Sequence, residues 1–240
     1  MKFALFSAAL IAGVGFLIYA NSLGGDFLWD DYHLVKRNAY IRDFSNIPRI
    51  FTEHVGGGAK RKYHFYRPLQ ILSYAFDYAI WKGDVRGYRL TNVFLHILAA
   101  LCVAWLALTL SGDRPLSLLA GLLFVTHPLH TEAVAYISGR ADPLAAIFIL
   151  LAVILYIKNI DLSRQSYDIL TALMYGAALL SRESALALPL LLLVYHFAFG
   201  KKIRAGRFLP LLGLAGASPS DSYLPVVAHD SEAGWLADAG

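Results

Sequence analysis

Two adjacent carboxylates, Asp30-Asp31, follow the aromatic run Phe27-Leu28-Trp29 just after a long apolar segment. Neighbouring carboxylates raise one another's pKa, which suits one to take a proton while the other binds a metal or orients a partner. A solvated turn or helix cap accounts for the same pair without chemistry. A second constellation runs from His127-Pro128-Leu129-His130-Thr131-Glu132 to Arg140, Ala141 and Asp142, between the apolar segments Leu116–Thr126 and Pro143–Ile157. Hydrocarbon makes every ionisable group costly, so polarity there calls for a reason. His127 and His130 stand three apart with Glu132 close behind, a spacing open to a divalent metal. Pro128 disfavours helix at His127, and the alternative is that these side chains line a polar cavity and donate to a phosphate or sugar.

Glu132, Tyr136 and Arg140 recur at intervals of four and would share one face of a short helix starting near Thr131. Arg67, Arg140 and Arg182 carry guanidinium groups suited to bidentate contact with phosphate oxygens. Mutual neutralisation of Arg182 and Glu183 at a helix break is the competing account of that pair. Asn92 and His96 lie one turn apart within an apolar stretch, where polar side chains face a bundle interior, and they read as structural hydrogen-bonding groups.

The elements that must position these groups are apolar. The chain is 58% hydrophobic over 240 residues, with a mean hydropathy of +0.53, which excludes an ordinary soluble domain. The sequence predicts an all-α polytopic membrane protein with about six transmembrane helices. These are Phe3–Ala20, Arg89–Leu110, Leu116–Thr126 completed by the stretch from His127, Pro143–Ile157, Tyr167–Leu180 and Ala185–Phe199. A cleaved signal peptide is the rival reading of the first. Asp142 is suited to cap the fourth and Pro143 to be its first helical residue.

Residues 21–87 form a long first outer loop, with interfacial amphipathic helices expected over Asp43–His54 and Pro68–Trp81 and a flexible tip at Gly56-Gly57-Gly58. The formal charge of +4 sits in clustered loops and signals topology and phosphate contact rather than nucleic-acid binding. Lys2, Arg114, Lys158, Arg164, Lys201, Lys202, Arg204 and Arg207 fall on one side of the bundle, so a cytoplasmic N-terminus follows from the positive-inside rule. The Asp30-Asp31 loop, His127–Asp142 and Ser181–Ser184 then emerge together on the opposite side. Cys102, the single cysteine, can form no internal disulfide.

Taken in order, Phe27-Leu28-Trp29-Asp30-Asp31, Tyr66-Arg67-Pro68-Leu69, Asn92-Val93-Phe94-Leu95-His96, His127-Pro128-Leu129-His130-Thr131-Glu132-Ala133-Val134-Ala135 and Ser138-Gly139-Arg140-Ala141-Asp142 resemble the membrane domain of the transmembrane O-mannosyltransferases that carry tetratricopeptide repeats. The resemblance implies a glycosyltransferase of the multi-span C-type fold, with a polyprenyl-phosphate-linked sugar as donor. It also implies an acidic pair, matching Asp30-Asp31, that supplies the base for an inverting displacement. Where that family usually has Lys-Glu, this chain has Arg182-Glu183.

The expected function is transfer of mannose or a related hexose from a polyprenyl-phosphate donor to a hydroxyl acceptor, such as protein Ser or Thr, in a bacterial inner membrane or an endoplasmic reticulum membrane. Asp30 and Asp31 are the candidate catalytic pair. Arg67, His127, His130, Glu132, Arg140, Asp142, Arg182 and Glu183 are candidates for binding donor phosphate and sugar. A non-catalytic polyprenyl-phosphate-binding or transport protein is the alternative, and a metal-dependent hydrolase at His127, His130 and Glu132 a third; a divalent metal is the one cofactor considered. Residues 1–207 make the transferase-like domain, and 208–240 are expected to start a seventh span and then lapse into an irregular tail, as in a truncated or frame-disrupted product.

Overall fold

The computed structural model of the chain describes residues 2–200 and 205–216, and among them every regular element is helical. The helices are α1 (Lys2–Tyr19), α2 (Ile47–Ile50), α3 (Pro68–Trp81), α4 (Val85–Ser111), α5 (Arg114–Thr126), α6 (Thr131–Ala135), α7 (Ala141–Leu162), α8 (Gln165–Leu179), α9 (Leu188–Ala198) and α10 (Ala205–Gly216). The all-α membrane fold expected from hydropathy is what forms. Three helical stretches, Lys2–Leu23, Val85–Ser111 and Ile137–Ile160, are long and apolar enough to cross a bilayer. Arg114–Thr126 with Pro128–Ala135 makes a fourth if its 49° bend is taken as one broken span. The bend falls where Pro128 cannot continue the helix, and His127 there is extended. Glu183–Ala198 is apolar but shorter. By length and composition alone, the described residues hold three such helices, or four with the bent pair, so not all of the six expected spans reach that length.

α4 is the hub, packed against α1, α5 and α7, while α7 packs on α8. Its C-terminus is closed by Gly112, whose φ of +70° favours glycine. Asp113 then caps α5 by accepting from the Leu116 amide at 3.2 Å. The His127–Asp142 stretch meets the start of α4 where Asn92 Nδ2 donates to Val134 O, and the end of α8 through the Arg182–Asp142 ion pair, so the three gather at one end of the bundle. Arg114, Lys158, Arg164 and Arg207 gather at the other.

The first loop is a folded cap over the former end. Phe27, Leu34, Ile41, Ile50, Val55, Ile71, Tyr74 and Tyr88 are buried together with Ile137 from the far side of the sequence, each contributing on the order of 1.5–3 kcal/mol when fully buried. α3 spans Pro68–Trp81 as periodicity predicted. The other expected helix, over Asp43–His54, shrinks to a 3-10 turn and the four residues of α2. The glycine run is no free tip: Ala39 N donates to Gly58 O at 2.9 Å, and a Cβ on Gly58 would meet Asn38 Oδ1 at 1.8 Å.

Asp142 is not a helix cap, because α7 already begins at Ala141. α10 covers the described start of 208–240, and its Phe208 and Leu211 pack with Tyr175 and Leu192 of α8 and α9. Lys201, Lys202, Arg204 and the expected tail at 217–240 lie outside the described residues.

Candidate functional site

The two expected carboxylates separate into different roles. Asp31 is fully buried: its Oδ1 accepts from Ser138 N at 2.8 Å and Ser138 Oγ at 2.6 Å, and its Oδ2 accepts from Leu28 N at 3.1 Å. Burial raises its pKa above the ordinary carboxylate value, with those hydrogen bonds and the Arg89 charge opposing. Asp31 therefore pins the loop to the turn before α7. Asp30 is half-buried and faces a cavity. Its Oδ1 accepts from Tyr63 Oη at 2.8 Å, its backbone N donates to Tyr136 Oη at 3.2 Å, and no hydrogen bond to Oδ2 is seen among the described residues. Burial, then the bond to Asp30, holds the Tyr63 phenol well above its usual value. Burial and the Asp30 charge push Tyr136 up to about 12. Both rings remain neutral hydrogen-bonding groups at any physiological pH.

The cavity has two chambers. The smaller, about 190 Å³, is lined by Asp30, Tyr63, Arg67, Gln70, Tyr136 and Ser138, among others. The larger, about 510 Å³, is mostly apolar, with His96, Ala99, Phe124, Leu129, Pro143 and Ile149 in its wall. Glu132, Asp142 and Arg182 line both. Arg182 is ion-paired with Asp142, and the two remain 33% and 46% exposed. Arg67 forks onto Glu183 through Nε at 3.1 Å and Nη2 at 2.8 Å, with the Leu69 N to Leu180 O bond alongside at 3.2 Å. Loop, broken hairpin and α8 break, far apart in sequence, meet here.

Arg140 stands apart from the cavity. Its side chain is fully buried, with Nη2 2.6 Å from Asp77 Oδ2, Nε donating to Asn92 Oδ1 at 2.7 Å and Nη2 to Tyr88 O at 2.8 Å. The Tyr74 ring lies 4.6 Å away. It locks α3, α4 and the start of α7 together and lines neither chamber. The expected helix face shared by Glu132, Tyr136 and Arg140 does not form, because Tyr136 is extended (ψ 118°) and ends α6. Gly139 lets the following turn press onto α6: a Cβ there would meet Glu132 O at 2.9 Å.

Asn92 and His96 are interior hydrogen-bonding groups. Asn92 Nδ2 donates to Val134 O and Tyr136 O at 3.2 and 3.1 Å, and His96 Nε2 pairs with Val125 O at 3.3 Å. His130 Nδ1 is 2.9 Å from Phe124 O, and His127 Nδ1 accepts from Leu129 N at 3.3 Å. Among the described residues no three His, Cys, Asp or Glu side chains converge as a metal would require, so His127, His130 and Glu132 do not form that set.

Arg89, Tyr63 and Gln70 were not singled out from sequence. Arg89 donates to Gly24 O, to Asp26 O at 2.7 Å and to Ala135 O at 3.3 Å, binding the loop's start to α6. The signal was available: 89, 92 and 96 are spaced three and four apart, a polar stripe on an apolar helix.

A helical membrane bundle whose polar groups converge on one capped, two-chambered cavity is the class these features define. The chain belongs to the dolichyl-phosphate-mannose-protein mannosyltransferase family, whose sequence model matches residues 38–200. It is 31% identical to human protein O-mannosyl-transferase TMTC2 over 84% of this chain and 25% of that protein. The Xenopus laevis tmtc2 protein is 37% identical over 62% of this chain and 18% of its own length. Human TMTC1 is 31% identical over 93% of this chain and 27% of its own. The chain thus spans about a quarter of the length of the curated relatives it matches. No solved structure matches it.

Proposed function

We propose that this chain forms the reaction centre of a membrane glycosyltransferase that moves mannose, or a related hexose, from a polyprenyl-phosphate donor to a hydroxyl acceptor such as a protein Ser or Thr. One observation carries the reading: Asp30, whose Oδ2 accepts no hydrogen bond among the described residues, lines the same chamber as Arg67 and Arg182. The relatives' names, protein O-mannosyl-transferases, support the acceptor class.

Asp30 is the base. It takes the proton of the acceptor hydroxyl, whose oxygen attacks the anomeric carbon as the carbon–oxygen bond to phosphate breaks. The electron pair leaves with the lipid phosphate, whose charge falls on Arg182, with Arg67 behind it. Phosphate displaces Asp142 from Arg182, so the carboxylate holds the guanidinium in position until the donor arrives. The apolar larger chamber takes the first prenyl units, and His130 and Glu132 border its polar end. The cavity faces the non-cytoplasmic side and the N-terminus is cytoplasmic, by the distribution of bases.

The test is transfer from a short-chain polyprenyl-phosphate mannose to a Ser/Thr peptide in membranes containing the chain. Asp30→Asn is expected to lower turnover by about 10²–10⁴-fold with insertion and folding intact. Undiminished transfer would remove the proposed base.

A further inference from the structure

We infer that the side-chain oxygen of Gln70, buried at the wall of the smaller chamber without a partner, accepts a hydrogen bond from one hydroxyl of the donor sugar and so reads its identity. This rests on the glycosyltransferase reading and adds which group selects the sugar.

Gln70 lies on α3 and is only 1% exposed, yet lines the smaller chamber. Its Nε2 donates to Ser138 O at 2.8 Å and to Tyr74 Oη at 3.0 Å, and Tyr74 Oη in turn donates to Ile137 O at 2.9 Å. Ser138 O can only accept, so the amide nitrogen must face it; the flipped amide would set two carbonyl oxygens against each other. Both N–H groups are thereby used. Oε1 is left with no partner among the described residues, an uncommon condition for a buried acceptor and one that a ligand donor would relieve.

The rest of the chamber indicates what that donor is. Asp30, Glu132 and Asp142 supply acceptors, while Arg67 through Nε and Nη2, Arg182 through Nη1 and Tyr63 through Oη each already bond a carboxylate. A wall rich in acceptors suits a ligand that brings several hydroxyl protons, and it leaves the phosphate to the arginine edge of the chamber, at Arg182 where the two chambers meet. At about 190 Å³, the volume of roughly six waters at ~30 Å³ each, the chamber fits one monosaccharide rather than a chain of them. Sugar in the small chamber, phosphate at Arg182 and prenyl chain in the large chamber is the arrangement that satisfies each wall.

The experiment measures binding of short-chain polyprenyl-phosphate mannose, and of its singly deoxygenated analogues, to the full chain in lipid nanodiscs. One deoxy analogue is expected to bind about ten- to a hundredfold more weakly than the parent, as for a lost hydrogen bond that strands a buried acceptor. Gln70→Met should abolish that discrimination. Gln70→Glu, which when protonated keeps a donor toward Ser138 O and an oxygen at the chamber, should retain it. Equal binding of all analogues by the unmutated chain overturns the inference, as does discrimination that survives Gln70→Met, or failure of any sugar phosphate to bind. Binding is read separately from transfer, so an Asp30→Asn protein that still transfers refutes the base while leaving the Gln70 result standing.

Discussion

Adjacent residues of one type can be given opposite tasks by contacts that no local pattern encodes. Asp30 and Asp31 read alike in sequence, and the difference lies in Ser138, more than a hundred positions away, whose amide and hydroxyl both close on Asp31. Arg140 and Arg182 likewise read as equivalent phosphate ligands, although one is sealed against Asp77 and Asn92 and the other stands at the cavity. The asymmetry of the aspartates has a pH consequence. Burial raises Asp31 above the usual carboxylate range, so the folded chain holds that proton to higher pH than the unfolded chain. Its stabilising contribution is complete below the unfolded value and declines as pH rises towards the folded one. In Asp31→Asn this titration is gone, and Nδ2 opposes the Leu28 amide, a mismatch costing about 1–3 kcal/mol. Thermal unfolding of the two proteins between about pH 4 and 7 should show a gap that narrows as pH rises. Asp77, also raised by burial, titrates in both and cancels. A gap that widens with pH would contradict the assignment.

At the scale of elements, periodicity located most helices to within a few residues, because apolar runs are local properties. It failed where a proline or a side-chain clamp decides the outcome, as at the His127 bend and the break at Tyr136. What orders these broken pieces is Arg140, which joins α3 through Asp77, α4 through Asn92 and Tyr88 O, and the start of α7. Removing one partner of a buried pair strands the other charge, so Arg140→Met is expected to cost about 3–5 kcal/mol, read as a lowered unfolding temperature in detergent. Adding Asp77→Asn should recover part of that loss, since the stranded charge disappears while Thr91 Oγ1, 2.8 Å from Asp77 Oδ1, can still bond an amide oxygen. An arginine that gripped donor phosphate would instead raise KM and leave unfolding unchanged. Additive losses in the double variant would sink the clamp.

On the scale of the whole molecule, the first loop is the part least legible in sequence. Its core draws on Ile137 and Tyr88 from outside the loop, and such long-range burial leaves no period to find. The convergence of three polar stretches, by contrast, followed from counting antiparallel spans and bases, and the same count makes a topological prediction. With Cys102→Ala as background, single cysteines at Trp29, Glu132 and Arg182 belong to the cavity end, and at Arg114, Lys158 and Arg164 to the other. Trp29, 81% exposed and edge-on to Tyr136 with centroids 6.0 Å apart, and Glu132, at the cavity rim, are the clearest reporters of the first group. A membrane-impermeant maleimide applied from outside should label the first group in intact cells, and the second only after permeabilisation. Arg114, Lys158 and Arg164 outnumber the bases of the short loops at the cavity end, and positive charge in short loops is retained on the cytoplasmic side. Labelling of Trp29 and Glu132 from opposite faces would separate Asp30 from Arg182 by the thickness of a bilayer, about 30 Å of hydrocarbon, and no transfer between groups so placed could occur.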